Sequence, residues 1–483
     1  EATTCSTDCT AGAVFAAVRG QRCNGSDFID DAIARGAAAV LVDRPLPHVS
    51  VPQCVVPDVR QAYALLCEAI EGHPARHLSL TGVTGTNGKS TVTWLLRSIL
   101  QEAGHQTGLL GTIEYDDGRT AEAATLTTPD ARELAAWLQR MRVAGTTHAA
   151  LELSSHALVQ HRAAALQLSA AVLTNITQDH FDYHGTAAAY RQAKQQIFSC
   201  CRPHVPVTVN IDDSGCRQLL EEMKETSDRP IITCSLSGPA DATATVEHCS
   251  LSGTTFTFHL PDGTGSRVKT TLVGEHNVSN CLLAAATAWH LGATAPQIAA
   301  GIERLVRIPG RLDRVECGSS GTVFVDYAHT DDALRRCVQF LKSLTPGRVF
   351  CVFGAGGDRD RTKRPLLASA ASLADLAIVT TDNPRTESPQ QIVTDLLQGF
   401  PAERQPARID LNRARAIEWA LEQARPGDSV LIAGKGHEAM QIIGTERIPF
   451  CDRNVAERWR RDGAHARIPA PKHSLPLPVR ECA

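Results

Sequence analysis

Apolar residues recur along this chain in short continuous runs separated by amphipathic stretches. Between residues 1 and 76 the runs "AGAVFAAVRG" and "GAAAVLVDRP" predict strands around a helix at 27–35. From residue 77 the rhythm becomes strand, loop, helix. "LSLTGV" reads as a buried strand, and "KSTVTWLLRSILQEAG" as an amphipathic helix ended by Gly104. "AALEL" (149–153) and "AAVLTNI" (170–176) predict further strands, and their alternation with helical segments argues for a parallel sheet. Segment 242–273 alternates with period two, which predicts an antiparallel appendage, and a helix from about Val278 to His290 comes next.

A second strand–helix alternation begins near residue 321, with "TVFVDY", "RVFCVFGAG", "LAIVTTDN" and "SVLIAGKG" as its strands. It predicts another doubly wound unit, bounded near Arg307–Arg311 by Pro309 and Gly310. The expected class is therefore α/β in three domains. Residues 1–76 form the first, 77–308 a central parallel-sheet ATPase domain, and 309–466 a Rossmann-like domain; the Pro-rich 467–483 is a loose tail. A length of 483 residues suits that number, at roughly 100–200 residues per domain.

Composition narrows the function classes. With 43% apolar and 21% charged residues the chain reads as globular, and a net charge of −4 gives no basic surplus for nucleic acid. No apolar run approaches the ~20 residues needed to span a bilayer. The chain opens at Glu1 without a basic-then-apolar leader, so a cytoplasmic location is expected. Sixteen scattered cysteines, with no C-x-x-C pair and no zinc spacing, then read as reduced thiols.

The strongest chemical signal is "GVTGTNGKST", lying between a predicted strand and a predicted helix. There the backbone N–H groups of residues 84–91 can curl around phosphate oxygens, and the helix N-terminus adds positive potential. Gly85 and Gly88 permit close approach, Lys89 reaches the terminal phosphates, and Ser90 or Thr91 is placed to hold Mg²⁺. The G-x-x-x-x-G-K-[ST] spacing is not met, because Val83 stands where the first Gly belongs. The loop is a variant of that pattern. Glu152 and His156 lie at and just beyond the end of the strand 149–153, His180 follows the strand 170–176, and open α/β sheets gather ligands at the carboxyl ends of strands. Glu152 and His180 are candidate Mg²⁺ partners, although that ion prefers oxygen and His is the less usual choice.

"GTNGKST", "ELSSHALVQHR", "TNITQDHFDYHG", "YRQAK", "GEHNVSN", "PGRLDRV", "VDYAHT", "GGDRDRTKRP", "DNPR" and "GKGHE" occur in this order. Together they resemble the Mur ligases of peptidoglycan precursor synthesis, from residue 6 to about 460, and most of all the diaminopimelate-adding branch. The resemblance implies that ATP phosphorylates the terminal carboxylate of a UDP-N-acetylmuramoyl dipeptide, and that an amine then attacks the acyl phosphate. The first domain would bind the UDP-sugar, the second ATP with Mg²⁺, and the third the incoming amino acid. A monomer is expected. Lys89, His180 and Lys194 are the implied catalytic residues, with Lys194 carbamylated and joining Ser90, Glu152 and His180 at the metal. Gly85, Thr86, Asn87, Gly88, Lys89, Ser90, Thr91, Asn277, Arg311 and His329 would contact the nucleotide. Thr127, Thr128, Ser154, Gln160 and Arg162 would contact the peptide, and Ser6 the uridine. The family commonly has "DSR" where this chain reads Cys5-Ser6-Thr7.

Specificity for the amino acid is expected from Asp382, Asn383, Pro384 and Arg385, with Arg359, Gly434 and Glu438 after neighbouring strands. An arginine offers a planar fork for a carboxylate and a glutamate accepts from an ammonium. Meso-diaminopimelate carries both groups at its far end, whereas lysine carries only the amine. The resemblance agrees, since Arg at the fourth position of "DNPR" accompanies diaminopimelate addition.

Overall fold

The computed structural model describes residues 1–20, 23–177, 181–224, 229–317 and 321–462. His180 and the expected tail 467–483 lie outside the described residues. The chain divides into two compact units, Glu1–Ile308 and Pro309 onward, so the break falls at the Pro-Gly boundary read from the sequence.

The first unit begins with a four-stranded parallel sheet of Ala2–Thr3, Ala13–Ala16, Ala37–Val42 and Gln53–Val55, in that order. The helix Val59–Ile70, capped by Asp58 accepting from the Gln61 amide, covers it. That helix buries Val59, Tyr63 and Ala64 with Ala131 and Ala135 of the central region. This shared core makes residues 1–76 one compact unit with the central sheet and its helices.

The central sheet has eleven strands. Seven in its middle run parallel: Ala242–Ser250, Ile231–Ser235, Val207–Asn210, Leu168–Leu173, Ser79–Thr84, His148–Glu152 and Thr107–Leu110. The expected antiparallel appendage is present as Ala242–Ser250, Gly253–His259 and Gly265–Thr270. A second antiparallel margin, Glu114–Asp116 and Ala121–Ala123, was not anticipated; these strands are short and half polar, so they lack a period-two apolar signal. Helices Lys89–Glu102, Glu275–His290 and Ala295–Arg304 fill one face with Leu95, Leu96, Ile99, Leu282 and Ile298. Helix Ala131–Ala144 and its neighbours fill the other with Leu134, Leu138 and Met141. The strand Ser79–Thr84 lies at the centre, between Leu168–Leu173 and His148–Glu152, with Thr84 opposite Leu173 and Val83 opposite Glu152.

The second unit holds a six-stranded sheet ordered Asp313–Val315, Thr322–Asp326, Ser429–Ala433, Val349–Phe353, Leu376–Val379, Arg408–Ile409. Only the first strand is antiparallel to its neighbour. Alternate residues point to opposite faces. Val323, Val325, Phe350, Val352, Val430 and Ile432 pack on the helices Arg413–Gln423 and Asp452–Asp462, leaving Phe324, Cys351 and Leu431 to the other face. No helix among the described residues is long and apolar enough to cross a membrane. The described cysteines are free thiols.

Candidate functional site

The phosphate-type loop joins the central strand Ser79–Thr84 to the helix Lys89–Glu102. Gly85 (φ 150°) and Gly88 (φ 87°) occupy backbone regions that other residues rarely adopt. A Cβ at Gly85 would collide with the Thr174 hydroxyl, and one at Gly88 with the Asn280 side-chain oxygen. Glycine is therefore required twice, once by each neighbour. Between them the Asn87 peptide is clasped by one side-chain amide. Asn87 N–H donates to Asn175 Oδ1 at 2.9 Å, and Asn175 Nδ2 returns a bond to the Asn87 carbonyl at 3.1 Å. Thr174 Oγ1 donates to the same carbonyl at 2.6 Å. Lys89 Nζ donates to the carbonyls of Gly85 and Thr86, each at 2.9 Å. Ser90 and Thr91 are buried in the first helical turn, and the N-cap Gly88 supplies no side-chain cap. The amides and dipole of a helix N-terminus suit an anion.

Thr86 links the loop to the helix Ala187–Gln195. Its hydroxyl lies 3.1 Å from the Tyr190 hydroxyl, and the Lys194 ammonium sits 4.4 Å from the centre of the same ring. Lys194 is buried, 1% exposed, rather than on a solvated face. The regular helix stops at Gln195 and tightens to a 3-10 turn over Gln196–Cys200.

A second network surrounds the carboxyl end of His148–Glu152. Glu152 is buried, and its two oxygens accept from the Thr112 amide and hydroxyl, both at 2.9 Å. Thr112 Oγ1 also lies 3.1 Å from Thr127 Oγ1. Thr128 Oγ1 donates to the Glu152 carbonyl at 2.7 Å and accepts from Ser154 N–H at 3.0 Å. Arg162 Nη1 reaches the Thr128 carbonyl at 2.8 Å, while its Nη2 donates to Gln160 Oε1 at 2.7 Å. Five expected peptide contacts, Thr127, Thr128, Ser154, Gln160 and Arg162, thus adjoin the candidate metal ligand Glu152. His184 Nε2 lies 3.0 Å from Ser155 Oγ, with its ring 5.2 Å from that of Tyr190, so the two networks meet there.

Asn277, an expected nucleotide contact, is buried at the start of the helix Glu275–His290, with Nδ2 on the Val273 carbonyl at 2.9 Å. It accepts from Asn280 Nδ2 at 3.3 Å, and Asn280 abuts Gly88. Ser6 lies in the 3-10 turn Ser6–Asp8 of the first sheet, where its hydroxyl helps hold the Asp31 carboxyl below its ordinary range. His180 lies outside the described residues.

The remaining candidates belong to the second unit. Arg311 lies 5.1 Å from the Tyr327 ring centre, and His329 Nδ1 lies 2.8 Å from the Tyr327 carbonyl. Asp382 comes after the strand Leu376–Val379, is more than nine-tenths buried, and has its pKa raised chiefly by that burial. Gly434 (φ 112°) follows the strand Ser429–Ala433, two places across the sheet, where a Cβ would press on the Asp382 carboxylate. Asn383 Nδ2 donates to Glu438 Oε2 at 2.8 Å. Burial works to raise the Glu438 pKa, but the Lys435 hydrogen bond and charge outweigh it and the net shift is downward. Pro384 is buried and leads into Arg385, which has φ 52° and pairs with Ile443 of the hairpin formed by Met440–Ile443 and Glu446–Pro449. Arg385 Nη1 donates to the Gly357 carbonyl at 2.8 Å, and Arg359 is exposed just beyond that turn. Asp382, Asn383, Arg385, Gly434 and Glu438 therefore share one strand-end cluster.

Asn175, Asn280 and Tyr190 were not singled out from the sequence, although each lies in a motif that was. Thr112 carries no sequence signal at all.

Three family models match the chain: "Mur ligase family, catalytic domain" over residues 2–71, "Mur ligase middle domain" over 83–288, and "Mur ligase, glutamate ligase domain" over 310–436. Among similar curated proteins, the UDP-N-acetylmuramoyl-L-alanyl-D-glutamate–2,6-diaminopimelate ligase of Geobacillus kaustophilus is 41% identical over 454 residues, covering 92% of this chain and 91% of the relative. The protein of the same name from Synechococcus sp. strain WH7803 is 41% identical, covering 95% of each. A solved structure of a diaminopimelate ligase of that name superposes with a TM-score of 0.67 at 32% identity, covering 96% of this chain and 95% of the other. A folylpolyglutamate synthase from Thermotoga maritima shares the fold, with a TM-score of 0.61 at 15% identity, covering 78% of this chain and 89% of that one.

Proposed function

The chain belongs to the Mur ligase family, and from that premise we infer that it joins meso-2,6-diaminopimelate to UDP-N-acetylmuramoyl-L-alanyl-D-glutamate. It is an ATP-dependent, amide-forming ligase of peptidoglycan synthesis. The observation that carries this reading is the match to diaminopimelate ligases, which runs through both compact units.

The chemistry stems from what a carboxylate lacks. It is a poor electrophile at neutral pH, and phosphorylation gives it a leaving group. We assign the phosphate grip to residues 84–91, with the loop amides and Lys89 facing the terminal phosphates of ATP. The two-glycine cradle and uncapped helix terminus fit a triphosphate. Mg²⁺, when bound, supplies charge neutralisation at the transferring phosphoryl group. Ser90 and Glu152 offer it oxygen ligands, and we propose His180 and a carbamylated Lys194 as the others. A carbamate forms on an amine held away from bulk water, and Lys194 is buried.

Thr127, Thr128, Ser154, Gln160 and Arg162 are proposed to hold the peptide so that its carboxylate faces the γ-phosphate. Asn277, Arg311 and His329 are assigned to the nucleotide, and Ser6 to the uridine. Arg385 is proposed to grip the distal carboxylate of diaminopimelate while Glu438 takes the ammonium beside it. We place the reaction in the cytoplasm, where ATP is available. Phosphate release is the test. Release that requires the UDP-sugar dipeptide and diaminopimelate together is expected; equal catalytic efficiency with lysine would reject the amino-acid assignment.

A further inference from the structure

The loop after the strand Ser429–Ala433 carries a lysine with no access to solvent. Lys435 is 0% exposed, and its Nζ donates to Asn383 Oδ1 at 3.0 Å and to Glu438 Oε2 at 2.9 Å. Asn383 closes the triangle, since its Nδ2 donates to the same Glu438 oxygen at 2.8 Å. The Ile442 amide donates to Asn383 Oδ1 at 3.0 Å, so that oxygen takes two donors and the amide has one orientation. Glu438 Oε2 likewise takes two donors, which fixes the carboxylate in rotation. Its Oε1 makes no hydrogen bond among the described residues, and the side chain keeps 34% exposure.

An ammonium taken fully out of water carries a desolvation cost of several kcal/mol, which only well-placed acceptors offset. Both acceptors here are residues assigned to the amino-acid substrate. We infer that Lys435 is a positioning residue for that substrate, locking Glu438 and Asn383 so that the outer oxygen of Glu438 meets the substrate ammonium. The inference rests on the proposed roles of Asn383 and Glu438.

Several charged or titratable groups face Glu438: Tyr327 after Thr322–Asp326, Asp382 after Leu376–Val379, Arg413 opening its helix, and Lys435 and His437 in its own loop. Burial alone would raise the Glu438 pKa, and Lys435 is the leading influence that brings it down. Without the lysine, the carboxylate moves toward protonation as pH falls and loses its hold on an ammonium. A merely structural lysine would affect all three substrates alike.

The test uses the full chain with Lys435→Met and Lys435→Gln, the second giving the acceptors a neutral donor. Initial rates are read against diaminopimelate, UDP-sugar dipeptide and ATP from about pH 6 to pH 9, a range that brackets neutrality. The expected result is a KM for diaminopimelate raised on the order of tenfold or more, with KM for ATP unchanged. That KM should climb further as pH falls, and the added Glu438→Gln change should flatten the climb. An unchanged KM for diaminopimelate, or equal shifts for all three substrates, overturns the proposal. Loss of the folded state in both variants assigns Lys435 to stability alone and overturns it too. If the unaltered enzyme couples a different amino acid, the functional reading falls separately, and the same KM comparison with that amino acid decides Lys435.

Discussion

Removing Asp452 should unfold the second unit before it harms any substrate contact directly. Arg413 and Asp452 are both fully buried, and the guanidinium grips the carboxylate through Nε and Nη2, each at 2.7 Å. Burial works against the Arg413 charge, but Asp452 outweighs it and raises its pKa. Asp452→Ala leaves that guanidinium in the core without its counter-ion. Breaking one side of a buried pair costs about 3–5 kcal/mol. For a unit of this size each kcal/mol lowers Tm by about 2–4 °C, so a drop of roughly 6–20 °C is expected. The double change Arg413→Met with Asp452→Leu should recover most of it, because removing both charges also removes the desolvation cost. Arg413 Nη2 also donates to the Ala433 carbonyl at 2.9 Å and Nη1 to the Thr381 carbonyl at 3.2 Å. Those carbonyls immediately precede Gly434 and Asp382, so even a folded single variant should use diaminopimelate poorly. Calorimetric melting of the single and double variants is the assay. A single variant within about 1 kcal/mol of the parent, the ordinary size of any point substitution, would show that the pair is not holding the unit together.

Three further expectations can be checked directly. Gly88→Ala should weaken ATP binding measured by titration calorimetry and cost roughly 1–2 kcal/mol of stability, because φ is 87° and the added methyl meets Asn280; unaltered affinity counts against the loop geometry. Lys194→Ala should lose most turnover while still binding ATP, with partial recovery when a short carboxylic acid is supplied; full activity without one rejects a carbamylated Lys194. Asp395 has a pKa lowered to about 2 by Gln391, with help from Arg364 and Arg361, against the opposing effect of burial. A lowered folded-state value means its stabilisation is complete above the unfolded value near 4 and is lost as pH falls toward 2. Asp395→Asn should therefore destabilise by about 1 kcal/mol at neutral pH and by progressively less below about pH 4, as chemical denaturation at each pH will read.

Much of the fold was legible because its strands are short apolar runs set apart by glycine and proline. Pro309 and Gly310 marked the unit boundary, and the strand, glycines and helix pattern marked the loop at residues 85–88. Errors gathered where polar residues do structural work. The strand predicted to reach residue 176 ends at Leu173, because Thr174 and Asn175 turn aside to hold the loop. The helix expected from Val278 starts at Glu275, because Asn277 folds back on Val273. Lys435 was read only as part of a motif; nothing in local spacing tells a buried ammonium from an exposed one. Asn280 and Tyr190 escaped notice because their partners, Gly88 and Thr86, are remote in sequence.

If residues 84–91 hold the nucleotide as proposed, the bonds from Lys89 to Gly85 and Thr86 set an entrance condition on that site. The ammonium already has carbonyl company, so a newcomer must offer more than a neutral acceptor does. Bonds to ionised oxygens are roughly twice as strong as those to neutral ones, which makes the exchange downhill for a triphosphate and close to level for a bare nucleoside. Adenosine therefore gains little from this lysine, and discrimination by phosphate count is built into the resting loop before any substrate arrives.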